Sequence, residues 1–334
     1  MNMNYPNKII LIVVFLNFFF GLSASCAESG NNGAMEINME NLTAEEIIRK
    51  ADKMFSSRKY DEAREIYLRA AETAGAEQNN SVLTEAYARI ARTYLISEKK
   101  EQGRAWLEKA ARIASPEEPS GWSRYLGVRG RFEWKDEDLK TAAATFKEMY
   151  DYCSGRKMHD RAIDAAHMVA IVGTPEEQIE WGMKGISEAE QSNATNWLGP
   201  LWNNLAWTYE TGGDFEKTLE AYLKARENHW KYGDEMNKLI SDWAVGHAHR
   251  LLGNYDSAMQ WIRPVLAWAE RIDAAEWIGW SNKELGEAEM ALGNDSAALN
   301  YLTEAEKFLR QSGMEDWDPQ GFEEIREKIK SLRK

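Results

Sequence analysis

The chain has 334 residues, 44% hydrophobic and 11% aromatic, which allows two ordinary domains or one elongated repeat array with a sizeable buried core. A formal net charge of -13 argues against a nucleic-acid partner, because a phosphate backbone asks for basic patches, and it suits anionic membrane surfaces poorly. With 2 Cys and 7 Pro there is neither a disulfide framework nor a linker-like composition.

Residues 1–27 have the three parts of a secretory leader: a positive Lys8, an apolar run from Ile9 to Phe20, and the small residues around Ser23 to Ala27. The run is shorter than the ~20 residues a membrane-spanning helix needs, so the chain is predicted to be exported. An uncleaved anchor requires Gly21 and Leu22 to extend the run. Two cleavage readings stay open. Ser23-Ala24-Ser25-Cys26 resembles the bacterial lipoprotein box, in which Cys26 becomes the lipidated first residue, although Leu22 stands one place too far from it. An ordinary cut after Ser25 or Ala27 fits the same small residues. Either reading predicts a periplasmic or envelope location. Residues 28–42 read as a flexible spacer.

From residue 43 onward the sequence repeats. A small residue that permits close helix packing recurs as Ala51, Ala91, Gly127, Ala166, Ala206, Gly246 and Gly286, at steps of 40, 36, 39, 40, 40 and 40. The first unit carries Ala51, Tyr60, Ala63, Tyr67 and Ala70; the second carries Ala91, Tyr94, Leu107 and Ala110. Pro116 and Pro119 mark a loop before the third unit, whose turn slips out of register. Thr174-Pro175-Glu176-Glu177 opens a helix with capping-box residues and Pro at the first helical position. Residues 197–232 form the clearest unit. There Trp202, Leu205, Ala206 and Tyr209 share one helix face, Gly212-Gly213 ends that helix, and Asp214 is placed to cap the next. Phe215, Tyr222 and Ala225 face back from the second helix. Gly253-Asn254-Tyr255 and Gly293-Asn294-Asp295 repeat the turn at Gly213-Asp214-Phe215. Pro264 falls inside a second helix and predicts a bend near Gln260. Asp318 to Lys334 reads as an amphipathic helix through Phe322, Ile325, Ile329 and Leu332, which would cap the last open surface of an array.

The pattern resembles the tetratricopeptide repeat family. Its consensus is matched at Trp202, Leu205, Ala206, Tyr209, Gly213, Phe215, Tyr222 and Ala225, with Thr218 where the family has Ala. The resemblance covers residues 43–333, with a period of 40 in place of the family's about 34. It implies an all-α, right-handed α-solenoid of about seven antiparallel helix pairs plus a C-terminal capping helix. It also implies a protein–protein interaction scaffold, not an enzyme.

In that family the first helix of each pair lines an inner groove. Carrying its inward offsets onto this chain gives Arg92, Arg124 and Arg131, then His167, then Asn203, Trp207 and Glu210, and finally Trp243, His247, Arg250, Trp280 and Lys283. Such a strip would suit a protein or peptide partner with acidic and aromatic side chains. The alternative is a small acidic ligand or solute, bound on behalf of a transporter or sensing system. Two plainer readings stay open beside these. Trp207, Trp243 and Trp280 could pack between repeats, as Trp106, Trp181 and Trp202 are expected to. The arginines could pair with the plentiful Glu and Asp of neighbouring helices.

No catalytic pattern accompanies the repeats. His247 and His249 point to different helix faces and cannot share a metal ion. Cys153 is a lone thiol, expected to be buried. No CxxC, HExxH, P-loop, GxGxxG or GxSxG motif occurs. The expectation is no catalytic residue, no metal and no cofactor, with membrane contact only through the N-terminus.

Overall fold

The computed structural model describes residues 42–334. The leader, Cys26 and all of the spacer but its last residue lie outside the described residues. The chain divides into two compact units, one ending at Ala194 and the other beginning at Thr195.

The N-terminal unit holds four helix pairs: α1 (Ala44–Ser56) with α2 (Tyr60–Ala76), α3 (Asn80–Ile96) with α4 (Lys100–Ile113), α5 (Pro119–Lys135) with α6 (Leu139–Ser154), and α7 (His159–Val172) with α8 (Pro175–Gln191). Caps set where these helices begin. Thr43 accepts a hydrogen bond from the Glu46 amide while the Glu46 carboxylate receives the Thr43 amide, and Thr174 with Glu177 repeats the arrangement at α8. The recurring small residues Ala51, Ala91, Gly127 and Ala166 are all buried where helices meet. Around them pack Ile47, Tyr67 and Ile90 at one end, and Leu126, Phe146 and Met168 at the other. The lone Cys153 is buried here, which pushes its thiol up to about 11.

The third pair departs from the regular stacking. Elsewhere in this unit a second helix packs on the following first helix, but α5 lies directly along α3 and touches α4 only lightly. Gly121 makes this approach feasible. A Cβ there would stand 2.7 Å from the carbonyl oxygen of Ser81, too close for any side chain. The shorter step of 36 residues from Ala91 to Gly127 spans the loop containing Pro116. The contact brings α5 side chains against those of α3.

The C-terminal unit starts with a 3-10 turn (Thr195–Trp197). Three pairs follow: α9 (Leu198–Gly212) with α10 (Phe215–Tyr232), α11 (Glu235–Leu251) with α12 (Tyr255–Arg271), and α13 (Ala275–Ala291) with α14 (Asp295–Gln311). A short α15 (Met314–Trp317) leads into α16 (Pro319–Leu332). Gly213 is left-handed with φ of 79°, and Asp214 caps α10 by accepting the Lys217 amide at 3.2 Å. In the N-terminal unit Arg58, Glu98 and Glu137 adopt the same left-handed conformation inside their pairs, at φ of 59°, 56° and 63°. The turn geometry is therefore shared even where the glycine is not. Helix α12 continues through Pro264 without interruption from Tyr255 to Arg271. Helix α16 buries Phe322, Ile325 and Ile329 against Leu302 and Leu309 of α14, closing the last apolar surface.

Among the described residues there is no strand. The described residues form an all-α fold of the α-solenoid class, with seven helix pairs and a terminal capping helix. No described helix is long and apolar enough to cross a membrane.

Candidate functional site

In the N-terminal unit the first helices α3, α5 and α7 turn their charged residues toward one another. Glu85 on α3 is the centre. Its Oε1 accepts from Arg89 at 3.0 and 3.2 Å, from Arg161 of α7 at 2.8 Å, and more distantly from Arg124 of α5 at 3.5 Å. Burial pushes the Glu85 carboxyl up, but Arg89, Arg161 and Arg124 together overcome it and hold the group below the usual range. Arg89 also binds Asp52, which accepts the Tyr67 hydroxyl.

About one to two helical turns further along lies a second layer. Arg131 donates to Asp164 at 2.7 Å and to the Gly127 carbonyl at 2.9 Å. His167 is buried beside this pair, and burial depresses its imidazole to about 4, so it is neutral at physiological pH. Arg92 faces the same layer with its guanidinium 5.2 Å from the Phe55 ring. Among the described residues no carboxylate lies within ion-pair distance of Arg92.

The C-terminal unit has its own network. His247 on α11 sits between two carboxylates, with Nε2 3.1 Å from Glu210 and Nδ1 3.1 Å from Glu284. Burial alone would lower its pKa, but Glu284 and Glu210 prevail and raise it to about 9. The ring is thus an imidazolium that donates on both sides. Glu284 also pairs with Arg250, and Glu287 binds Arg250 at 3.1 Å and Lys283 at 3.1 Å. Lys328 of α16 reaches Glu287 as well. Tyr222 adds a hydrogen bond to Glu210 at 3.2 Å.

The aromatic candidates divide. Trp243 is buried in the core of this unit, packed on Trp277 at 5.5 Å and Trp280 at 6.3 Å. Trp207 and Trp280 are half-buried, Lys283 lies 5.7 Å from the Trp280 ring, and Asn203 is buried. Trp181 is buried, and Trp106 and Trp202 are half-buried against core clusters, the packing role expected of them. No group of three or more His, Cys, Asp or Glu residues among those described could hold a metal ion.

A family model described as the tetratricopeptide repeat matches residues 84–116 and 199–226. Both stretches match the tetratricopeptide repeat. One matched repeat lies in each unit, and the repeat from 199 contains Asn203, Trp207 and Glu210. Solved structures agree on the fold. The tetratricopeptide repeat sensor-bearing signal transduction ATPase from Pyrococcus horikoshii is 15% identical with a TM-score of 0.65, covering 98% of this chain and 48% of that one. The present chain therefore spans about half the length of that protein. The apo form of RapI is 12% identical with a TM-score of 0.64, over 80% of this chain and 77% of that one. A Rap protein complexed with competence and sporulation factor is 12% identical with a TM-score of 0.53, over 87% and 88%. No curated protein matches the chain.

The repeat offsets located Arg92, Arg124, Arg131 and His167 on adjoining first helices of one unit, and Glu210, Trp243, His247, Arg250, Trp280 and Lys283 around one network of the other. Apart from Glu210, they missed the acidic half of both networks. Asp52, Glu85, Asp164, Glu284 and Glu287 supply the counter-charges, and Arg89 and Arg161 belong to the first network too. The spacing of Glu85 with Arg89, and of Lys283 with Glu287, is the four-residue step that pairs opposite charges on a helix, and it was the available signal.

Proposed function

We propose that this protein is a non-enzymatic interaction scaffold, exported to the bacterial periplasm or cell envelope, that grips a protein or peptide partner along its first helices. One observation carries the reading. The first helices carry charged and aromatic side chains already fixed by their neighbours, as Glu284 and Glu287 fix Arg250 and Lys283. Side chains ordered before binding lose less entropy on binding. The half-exposed Trp207 and Trp280 suit apolar or aromatic groups of the partner, and Arg92 and Arg124 suit acidic ones. The Rap neighbour, solved with competence and sporulation factor, and the archaeal neighbour, described as carrying a repeat sensor, support a recognition role. The leader supports export, with the spacer 28–42 as tether if Cys26 is the lipidated residue. Membrane contact is confined to that N-terminus, and nucleic acid is not a partner of so acidic a chain.

The test compares pull-downs from envelope fractions by the wild-type chain and by a Trp207→Ala, Trp280→Ala double variant. A partner held by the wild-type chain and lost by the variant is the expected result. Equal recovery by both would move the contact off these helices, and no partner above background would count against a scaffold.

A further inference from the structure

The arginines gathered by α3, α5 and α7 outnumber the acids they face. Arg89, Arg92, Arg124, Arg131 and Arg161 stand against Asp52, Glu85 and Asp164. The other titratable groups in contact, Tyr67 and His167, are neutral at pH 7. Three of the guanidiniums converge on a single oxygen of Glu85, and Arg92 has no carboxylate partner among the described residues. Donors are left over. Arg92 Nε and Arg161 Nη1 are buried without a hydrogen-bond partner, an expensive state for a charged group.

Like charges this close repel, most strongly where water is scarce. Burial, then Arg161 and Arg89, push Arg124 well below its ordinary value, and burial, then Arg131, bring Arg92 down to about 9. The fold imposes this crowding, since Gly121 lets α5 close on α3 one turn before Arg124. Solvent nonetheless reaches these arginines. The side chains of Arg89, Arg124 and Arg161 are 14%, 16% and 18% exposed.

We infer that this face of the N-terminal unit is a binding site for an oxyanion bearing about two negative charges, a phosphate or a dicarboxylate, held by Arg92, Arg124 and Arg161. The charge follows from five guanidiniums set against three carboxylates. Planar guanidinium forks recognise such oxygens in pairs, which a lone ammonium would not. The inference rests on the reading that first-helix faces bind ligands, and it assigns a ligand chemistry to one of them. Its test needs no partner protein, so its failure would leave the scaffold itself standing.

The experiment is calorimetric titration of the full chain with inorganic phosphate and with succinate, against sodium chloride at matched ionic strength. One saturable site for phosphate or succinate is expected, and the tighter arm identifies the source of the oxyanion. Affinity should fall roughly tenfold or more in Arg92→Gln and separately in Arg124→Gln, as for loss of a charged hydrogen bond. The ligand-free melting temperature of both variants should stay at or above that of the wild type, because crowding is relieved. If one variant fails to fold, the other decides. No saturable binding beyond chloride, or binding unchanged in the folded variants, overturns the inference.

Discussion

The imidazole of His247 lies flat on the indole of Trp243, ring centroids 4.9 Å apart and planes 9° from parallel. An imidazolium stacked on an indole face is a cation–π contact, so one side chain links the tryptophan core to the Glu210 and Glu284 carboxylates.

This arrangement carries a pH signature. The folded pKa of His247, about 9, lies above the unfolded value of about 6.5. Its stabilisation is therefore complete below about pH 6.5 and is lost as pH rises through about 9. Relative to His247→Gln, the wild-type chain should be more stable by roughly 1–3 kcal/mol near pH 6 and by little near pH 10. Melting temperatures of both proteins across that range measure it, and a pH-independent difference would show that the ring is neutral.

Arg131 and Arg92 occupy the same face yet should respond oppositely to removal. Arg131→Gln strands the buried Asp164 carboxylate and should cost about 3–5 kcal/mol in denaturant unfolding. Arg92→Gln removes a cation crowded by Arg131 and Arg89 and should be neutral or stabilising. Equal losses would mean that Arg92 has a carboxylate partner after all.

The repeated small residues set how closely helices pack. A Cβ on Gly246 would lie 2.6 Å from Ile262 Cδ1, so Gly246→Ala should destabilise by about 1–3 kcal/mol. Gly212, at the end of α9, has nothing within 4 Å of such a Cβ, and Gly212→Ala should be neutral or stabilising by up to about 1 kcal/mol. Thermal unfolding of the two variants separates close packing from mere helical position.

The proposed export makes a prediction at the N-terminus. Mass spectrometry of the chain recovered from a bacterial envelope should find it beginning at Cys26 with added acyl mass, or at Cys26 or Glu28 unmodified. A recovered chain that still contains Ile9 to Phe20 would contradict cleavage and leave the uncleaved anchor.

The fold was legible because packing leaves a periodic trace. Each pair must bring two helices close at one point, so Ala51, Ala206 and Gly286 mark the array at a nearly constant step. The turns were legible only where glycine fills them; Arg58, Glu98 and Glu137 take the same conformation with nothing in their chemistry to announce it. The sequence shows the third unit slipping register in its turn, but the direct α3–α5 contact depends on the absent side chain of Gly121, which sequence alone does not single out. The site was half legible. Offsets place a residue on a helix face but do not say what lies opposite, and Arg161 meets Glu85 from 76 residues away. The question left open for the tryptophans resolves the same way. Trp243, Trp207 and Trp280 all lie on first helices, yet Trp243 is enclosed by Trp277, Trp280 and His247 while the other two remain half-exposed.

The central claim, that first-helix faces are the recognition surface, is tested most directly by site-specific photo-crosslinking in the full chain. A photoreactive residue is placed at Trp207 or Lys283, on the first helices α9 and α13, and in parallel at the exposed Glu220 on the second helix α10. A discrete crosslinked partner from Trp207 and Lys283, and none from Glu220, is the expected result. Crosslinking from Glu220 alone would contradict the claim.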